Sequence, residues 1–335
     1  MKLAIIGRTR LLYDTALLLH QQGHQINVVI TAEAAPEYTR TEEDFRQLAD
    51  TIGVPFILTD DLDTPETNEL CKGLDIGISI NWKTLIQERH INLFRLGILN
   101  AHHGDLPQYR GNACSSWAII KGDNKITTSI HFMEGGKLDC GRIVGQKHLH
   151  LDENATITDV YSWSEKMIPE LFVEVINKLQ ADENYTLKYA DPDISESFRC
   201  YPRLPEDGFI EWSASVKDIH NLIRAACYPF AGAYTYHVYK GEIKKLIILK
   251  SRIVQHRMKD LALPGHVLKN DKHSGESWVK CGDGILALAK CRYEDETEFF
   301  SPGQRWKSIR MRLRIRVEDW MYSMINAQKA FPMFD

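Results

Sequence analysis

Met1-Lys-Leu-Ala-Ile-Ile-Gly7-Arg-Thr-Arg10, followed by Leu11 to Gln22 and then by Gln25-Ile-Asn-Val-Val-Ile30, is the stretch that decides the fold. Leu3–Ile6 is a short apolar run with no polar alternation, the pattern of a strand buried on both faces. Residues 11–22 space their apolar side chains for a helix, and residues 25–30 form a second strand-like run. Strand, helix and strand in succession predict a parallel sheet covered by helices. The turn after the first strand, Gly7-Arg-Thr-Arg10, lacks the Gly-x-Gly-x-x-Gly that binds a dinucleotide. A Rossmann-like architecture is therefore expected without a nicotinamide or flavin cofactor.

The same alternation continues outward. Helices are expected over 42–52, 65–71 and 112–120, the last starting at Asn112 as cap, with strands over 55–58, 75–80 and 98–100. Residues 126–132 and 142–149 read as a strand pair, and 156–180 as a long helix with Leu171, Val175 and Leu179 on one face. The polar stretch Ala190-Asp-Pro-Asp-Ile-Ser-Glu-Ser197 marks a change of composition. Beyond a helix at 216–226, short strand-like runs at 232–238, 245–253, 266–267, 278–281 and 285–291 are separated by turn residues, which predicts a small barrel-like β domain. Residues 305–317 alternate arginine with apolar residues and read as a strand with one basic face, followed by a tail helix over 318–329. The expected organisation is a Rossmann-like, mostly parallel α/β domain with helices on both faces (1–190), a linker (191–212) and a barrel-like β domain (213–335).

Composition narrows the function classes. With 335 residues, 44% hydrophobic and 26% charged, the chain is ordinary for a globular protein of two domains. Its formal charge of −4 gives no global attraction for nucleic acid. No run of about 18 apolar residues suggests a membrane span. The seven cysteines form no Cys-x-x-Cys pair, so no zinc site or other metal site and no disulfide framework is indicated, and a cytoplasmic location is expected.

Chemistry gathers in Asn100-Ala-His-His-Gly-Asp-Leu-Pro-Gln-Tyr-Arg-Gly111 and in Lys137-Leu-Asp139-Cys-Gly141. Alternate residues of a strand share a face, so Asn100 and His102 are expected to look into one cavity at a strand's carboxyl end. An imidazole can take a proton from an amine, an amide can donate to an oxygen that becomes negative, and a carboxylate at Asp139 can orient the imidazole. These parts suit acyl transfer to an amine without a covalent enzyme intermediate. His103 points the other way and is expected at the rim of the substrate site. A histidine beside a glycine-proline turn is also a common structural residue, and that reading stays open for the motif taken alone.

These residues resemble the formyltransferase family that uses N10-formyltetrahydrofolate. Asn100-x-His102, Leu106-Pro107-x-Tyr109-Arg110-Gly111 and Leu138-Asp139-x-Gly141-x-Ile143 are similar to the family's Asn-x-His, Leu-Pro-x-x-Arg-Gly and Asp-x-Gly-x-Ile signatures. Arg203-Leu-Pro-Glu-Asp-Gly208 to Trp212, Asn221-Leu-Ile-Arg224 and Tyr228-Pro-Phe-Ala-Gly-Ala233 resemble its linker and the start of its C-terminal domain. The resemblance implies Asn100, His102 and Asp139 as catalytic residues, with His102 the general base and Asn100 the oxyanion donor. It also implies folate contacts from Ile80, Asn81, Trp82 and Asp139. Arg110, Arg203 and His103 are the candidates for the acceptor's phosphates or hydroxyls. Gly104-Asp105 and Asn112 depart from the methionyl-tRNA branch and look more like the branch that formylates amino sugars carried on nucleoside diphosphates (dTDP, UDP or GDP). A methionyl-tRNA formyltransferase and an inactive folate-binding protein are the alternatives. A homodimer is one of the arrangements the chain allows, and the arginine-rich face at 310–316 reads as a solvated strand face or a dimer edge in preference to a phosphate-binding patch for tRNA.

Overall fold

The computed structural model describes residues 1–36, 38–190, 197–255, 261–315 and 321. The chain divides into two compact units. The first comprises residues 1–115, 125–150 and 160–202, and the second residues 116–124, 151–159 and 203–335.

The first unit opens with β1 (Lys2–Gly7), α1 (Arg10–Gln21) and β2 (Gln25–Thr31), then α2 (Glu42–Ile52), β3 (Phe56–Leu58), α3 (Pro65–Cys71), β4 (Ile76–Ile80), α4 (Glu88–Ile91) and β5 (Gly97–His102). After β6 (Tyr109–Gly111) come α5 (Cys114–Lys121), most of which counts to the second unit, and then β7 (Lys125–Phe132), β8 (Gly141–His150), α6 (Ile157–Ala181), β9 (Lys188–Ala190) and β10 (Phe198–Cys200). One eight-stranded sheet runs β3-β2-β1-β4-β5-β7-β8-β9. Its first five strands are parallel, and β7, β8 and β9 each join antiparallel. The sheet is buried on both sides because consecutive residues of β1 go to opposite cores: Leu3 and Ile5 pack with α1, α2 and α6, while Ala4 and Ile6 pack with Ile57, Cys71 and Ile91. Leu171, Val175 and Leu179 of α6 are all buried in the first of these cores. Crossovers leave β1 towards β2 on one side and β4 lies on the other, so the carboxyl ends of β1 and β4 flank the topological switch point, where open α/β sheets collect ligands.

Expected and observed elements differ where tertiary pairing overrides local pattern. α5 starts at Cys114 and not at an Asn112 cap, because Ala113 adopts a left-handed conformation (φ 53°) and the N–H of Asn112 donates to Cys200 O at 3.0 Å beside the β6–β10 pair. The stretch read as linker carries β10, a 3-10 turn at Pro205–Gly208, and two side chains, Ile210 and Trp212, buried in the core of the second unit.

That second unit is an antiparallel sheet in the order β11 (Ala233–Tyr239), β12 (Glu242–Ile253), β15 (Ile285–Tyr293), β14 (Ser277–Lys280), β13 (Val267–Asn270), curled into a half-barrel and backed by α7 (Val216–Ala226). α7 is capped by Ser215, whose hydroxyl accepts from the Asp218 N–H at 3.1 Å. The buried indole of Trp212 donates to Thr235 at 3.1 Å, and Thr235 donates on to Leu313 O at 2.9 Å. The basic strand expected from residue 305 does not form among the described residues. Pro302 starts a short helix, α8 (Pro302–Arg305), and Arg305 is drawn into an ion pair with Glu296 over the Phe300 ring. Burial still alternates over 311–315 around the fully buried Leu313, but among the described residues this segment pairs through the isolated bridge of Arg312 to His266 and joins no named strand. The tail helix expected over 318–329 lies, apart from Met321, outside the described residues.

His237 of β11 is wholly buried, stacked on Tyr293 with ring centroids 5.7 Å apart, and neither ring nitrogen has a hydrogen-bond partner among the described residues. Burial pushes its pKa down to about 4. The folded value lies below the unfolded one of about 6.5, so the unfolded chain binds the proton first. No penalty exists above about pH 6.5; stability is lost as pH falls from there to about 4, by roughly 3 kcal/mol in all. His237→Phe keeps the stack and removes the titration. Its urea midpoint is expected to exceed that of the parent at pH 5 and to match it more closely at pH 7.5, and an equal difference at both pH values would refute the account.

Candidate active site

β5 ends where its side chains meet two turns. Asn100 and His102, two residues apart, both line a cavity of about 320 Å³, as strand periodicity requires. β7 runs antiparallel beside them, with Asn100 opposite His131 and His102 opposite Ser129. The loop after β5 is held down by Ser129, which donates to Gly104 O at 2.8 Å, and by Gln146, which donates to Leu106 O at 3.1 Å.

Backbone geometry determines the state of the His102 ring. Its Nε2 lies 2.8 Å from Tyr109 O, and a carbonyl oxygen only accepts, so Nε2 carries hydrogen in the neutral ring. The lone pair is then on Nδ1, which faces Asp139 Oδ1 at 3.5 Å. The Nε2 edge is closed by the chain itself: a Cβ on Gly104 would lie 2.4 Å from that nitrogen. Of the two ring nitrogens, Nδ1 is therefore the one whose lone pair is open to accept a proton.

Asp139 sits in the left-handed region (φ 47°), which Asp tolerates better than most residues, and is largely buried. This conformation turns its carboxylate back so that Oδ2 accepts the Gly111 N–H at 2.7 Å, tying the turn before β8 to β6. Its Oδ1 stands between two imidazoles, His102 and His131. His131 was not singled out by its sequence, since Ile126-Thr-Thr-Ser-Ile-His-Phe132 reads as an ordinary buried strand. Burial holds its pKa below the ordinary imidazole range, against the opposing pull of Asp139.

Of the other residues named from sequence, Asn81 and Trp82 line the same cavity as Asn100, His102 and Asp139, with Leu138 and Met133 as apolar walls. Ile80 is buried and lines a neighbouring cavity of about 370 Å³ at the switch point, together with Thr9, Arg10, Tyr38 and Ser164. His103 borders both cavities, packs against Tyr161 and has its pKa pushed down to about 4 by burial and by His102. The Nδ1 of His103 and the Oγ of Ser164 are buried without hydrogen-bond partners among the described residues. Arg110 is buried, donating to Pro107 O at 3.2 Å and to Cys140 Sγ at 3.4 Å, and is not among the residues that line either cavity. Arg203 belongs to the second unit, where it donates to Ala225 O and Asp207 O and lines a cavity of about 250 Å³. Among the described residues no group of three or more His, Cys, Asp or Glu side chains is arranged to hold a metal ion, and no helix is long and apolar enough to cross a membrane.

Residues 1–176 match the family model described as formyl transferase, and residues 204–299 match that of the formyl transferase C-terminal domain. Solved structures share the fold. WlaRD, a sugar 3N-formyl transferase solved in the presence of dTDP and 5-N-formyl-THF, is 18% identical with a TM-score of 0.58, over 88% of this chain and 98% of that one. The N-formyltransferase from Helicobacter canadensis, in complex with folinic acid and dTDP-3-aminofucose, is 17% identical with a TM-score of 0.58, over 86% and 98%. HypX from Aquifex aeolicus, in complex with tetrahydrofolic acid, is 14% identical with a TM-score of 0.57; the match covers 94% of this chain and 51% of HypX, so the chain spans about half of that protein. At these identities the likeness is one of fold.

Proposed function

The chain belongs to the formyl transferase family, and from that premise we propose that it transfers the formyl group of N10-formyltetrahydrofolate to the amine of a deoxy amino sugar carried on a nucleoside diphosphate. The observation that carries the reading is the meeting of Asn100, His102 and Asp139 on one cavity, with the His102 lone pair on the edge that faces Asp139.

In this reading the flat head of the folate lies between Trp82, Leu138 and the end of β4 at Ile80 and Asn81, a mixed apolar and polar wall that suits a ring with hydrogen-bonding edges. The acceptor amine attacks the formyl carbon. Asn100 donates to the oxygen as it becomes negative, and His102 Nδ1 takes the amine's proton. Asp139 and Tyr109 O then hold the charged ring from its two sides. The proton passes to the folate nitrogen as the bond to the formyl carbon breaks, so His102 ends the cycle as it began.

A sugar acceptor is favoured by the neighbouring cavity. Its wall offers hydroxyls from Tyr38 and Ser164, and the unpartnered Ser164 Oγ and His103 Nδ1 can be satisfied by a ligand's hydroxyls. Its cation, Arg10, is already paired with Asp14 at 3.2 Å, so the wall is not the basic surface that a tRNA backbone requires. His103 is the acceptor contact in this reading, and Arg110 acts on the acceptor through its charge.

The test is incubation with N10-formyltetrahydrofolate and a panel of nucleoside-diphosphate amino sugars. Donor consumption with at least one sugar, and a product heavier by one formyl group, are expected. Formylation of charged initiator tRNA with no sugar turned over would sink the sugar reading, and folate binding with no acceptor turned over would point to a binding protein.

A further inference from the structure

We propose that His131 is a positioning residue for the Asn100 amide, acting through an imidazole whose tautomer two backbone carbonyls lock. The inference rests on the reading of Asn100 as the oxyanion donor and deepens it.

The two residues are 31 apart in sequence and directly opposite in the β5–β7 pair. Side chains at such a pair of positions stand next to each other on one face of the sheet. His131 Nδ1 lies 3.0 Å from Phe132 O and 3.0 Å from Cys140 O. Both are carbonyl oxygens, which only accept, so Nδ1 carries the hydrogen and shares it between them. Burial disfavours a second proton on the ring, which leaves Nε2 as a lone pair. Asn100 Nδ2 stands 3.3 Å from that lone pair.

An amide has two ends of nearly equal size and opposite hydrogen-bonding character, and nothing in its shape selects between them. The His131 lone pair does select. It accepts one N–H of Asn100 and would repel Oδ1. The nitrogen end of the amide is thereby held in place, and its second N–H remains for the cavity that Asn100 lines. With a protonated Nε2 the preference would invert, and Asn100 would turn its oxygen to His131. The lock comes from the turn that also carries Asp139, since Cys140 follows Asp139 directly and supplies one of the two carbonyls. One turn therefore orients both the carboxylate beside His102 and, through His131, the amide beside it.

Two variants separate this role from packing. His131→Asn keeps a donor near the Nδ1 position for the two carbonyls and leaves Asn100 without its acceptor. His131→Gln offers an acceptor near the Nε2 position and gives up the carbonyl lock. His131→Asn is expected to lower kcat about 10- to 100-fold with KM for the folate donor nearly unchanged, and His131→Gln to recover most of that loss. In an Asn100→Ala background, His131→Asn is expected to add no further loss, because its effect passes through Asn100. Equal activity of both variants, or losses that multiply in the Asn100→Ala background, would overturn the inference. Full activity of Asn100→Ala itself would instead overturn the reading of the site, while a costly Asn100→Ala beside a harmless His131→Asn would remove the His131 role alone.

Discussion

His102→Ala is expected to lower kcat for formyl transfer by about 10²- to 10⁴-fold while leaving the binding of a folate ligand nearly intact. In the proposed reaction an amine attacks a formyl carbon and must lose a proton, and His102 Nδ1 offers the lone pair for it. The Nε2 edge is committed to Tyr109 O at 2.8 Å. Alanine removes the base and also withdraws a donor from that carbonyl, so His102→Gln is the better control: its nitrogen end can reach the same carbonyl without offering a base. Both variants are expected to fold, to show unchanged affinity for 5-formyltetrahydrofolate in a fluorescence titration, and to be slow in single-turnover assays. Partial recovery of His102→Ala by added imidazole would identify the lost group as a base. Activity of His102→Gln within tenfold of the parent would remove His102 from that role.

Gly111→Ala is expected to destabilise the first unit by about 3 kcal/mol or more and to cost activity even at temperatures where the protein stays folded. Gly111 has φ 101°, a region that L side chains rarely adopt, and a Cβ there would lie 2.2 Å from Cys200 O. The obstacle is backbone, so the contact is relieved only by moving β10 away from β6, with which it pairs at that residue. Movement of β6 also pulls the Gly111 N–H from Asp139 Oδ2, now 2.7 Å away, and frees the carboxylate to turn from His102. Gly53 is the control. It too has positive φ, at 79°, but nothing lies within 4 Å of its added Cβ, so Gly53→Ala should cost only about 1 kcal/mol. Urea unfolding of the two variants measures the difference. Equal losses would show that conformational strain alone, without the Cys200 clash, accounts for Gly111.

The alternation of buried runs and amphipathic segments was readable because both signals are local. Residues 42–52, 65–71 and 216–226 are helical over the ranges their periodicity predicts, and Asn100 and His102 share a cavity because they are two residues apart on one strand. Local signals misled where a distant partner took over. Asn112 carries the side chain of a helix cap, yet its backbone is held by Cys200. The arginine alternation after residue 305 has the period of a strand, but Arg305 is bound by Glu296 and α8 occupies the beginning of the segment.

The motif residues and their order along the chain were enough to place the protein in its family and to nominate Asn100, His102 and Asp139. Nothing local in Ile126 to Phe132 distinguishes His131 from core. Its pairing with Asn100 depends on the register between β5 and β7, and its tautomer depends on carbonyls from Phe132 and from the turn at Cys140. The same holds for His102, whose proton-accepting nitrogen is decided by Tyr109 O. Residue identity supplies the groups that can give or take a proton. Which nitrogen carries it is decided by the backbone carbonyls around the ring, and the turns and strand ends that aim Tyr109 O and Cys140 O at these rings take their places only in the folded sheet.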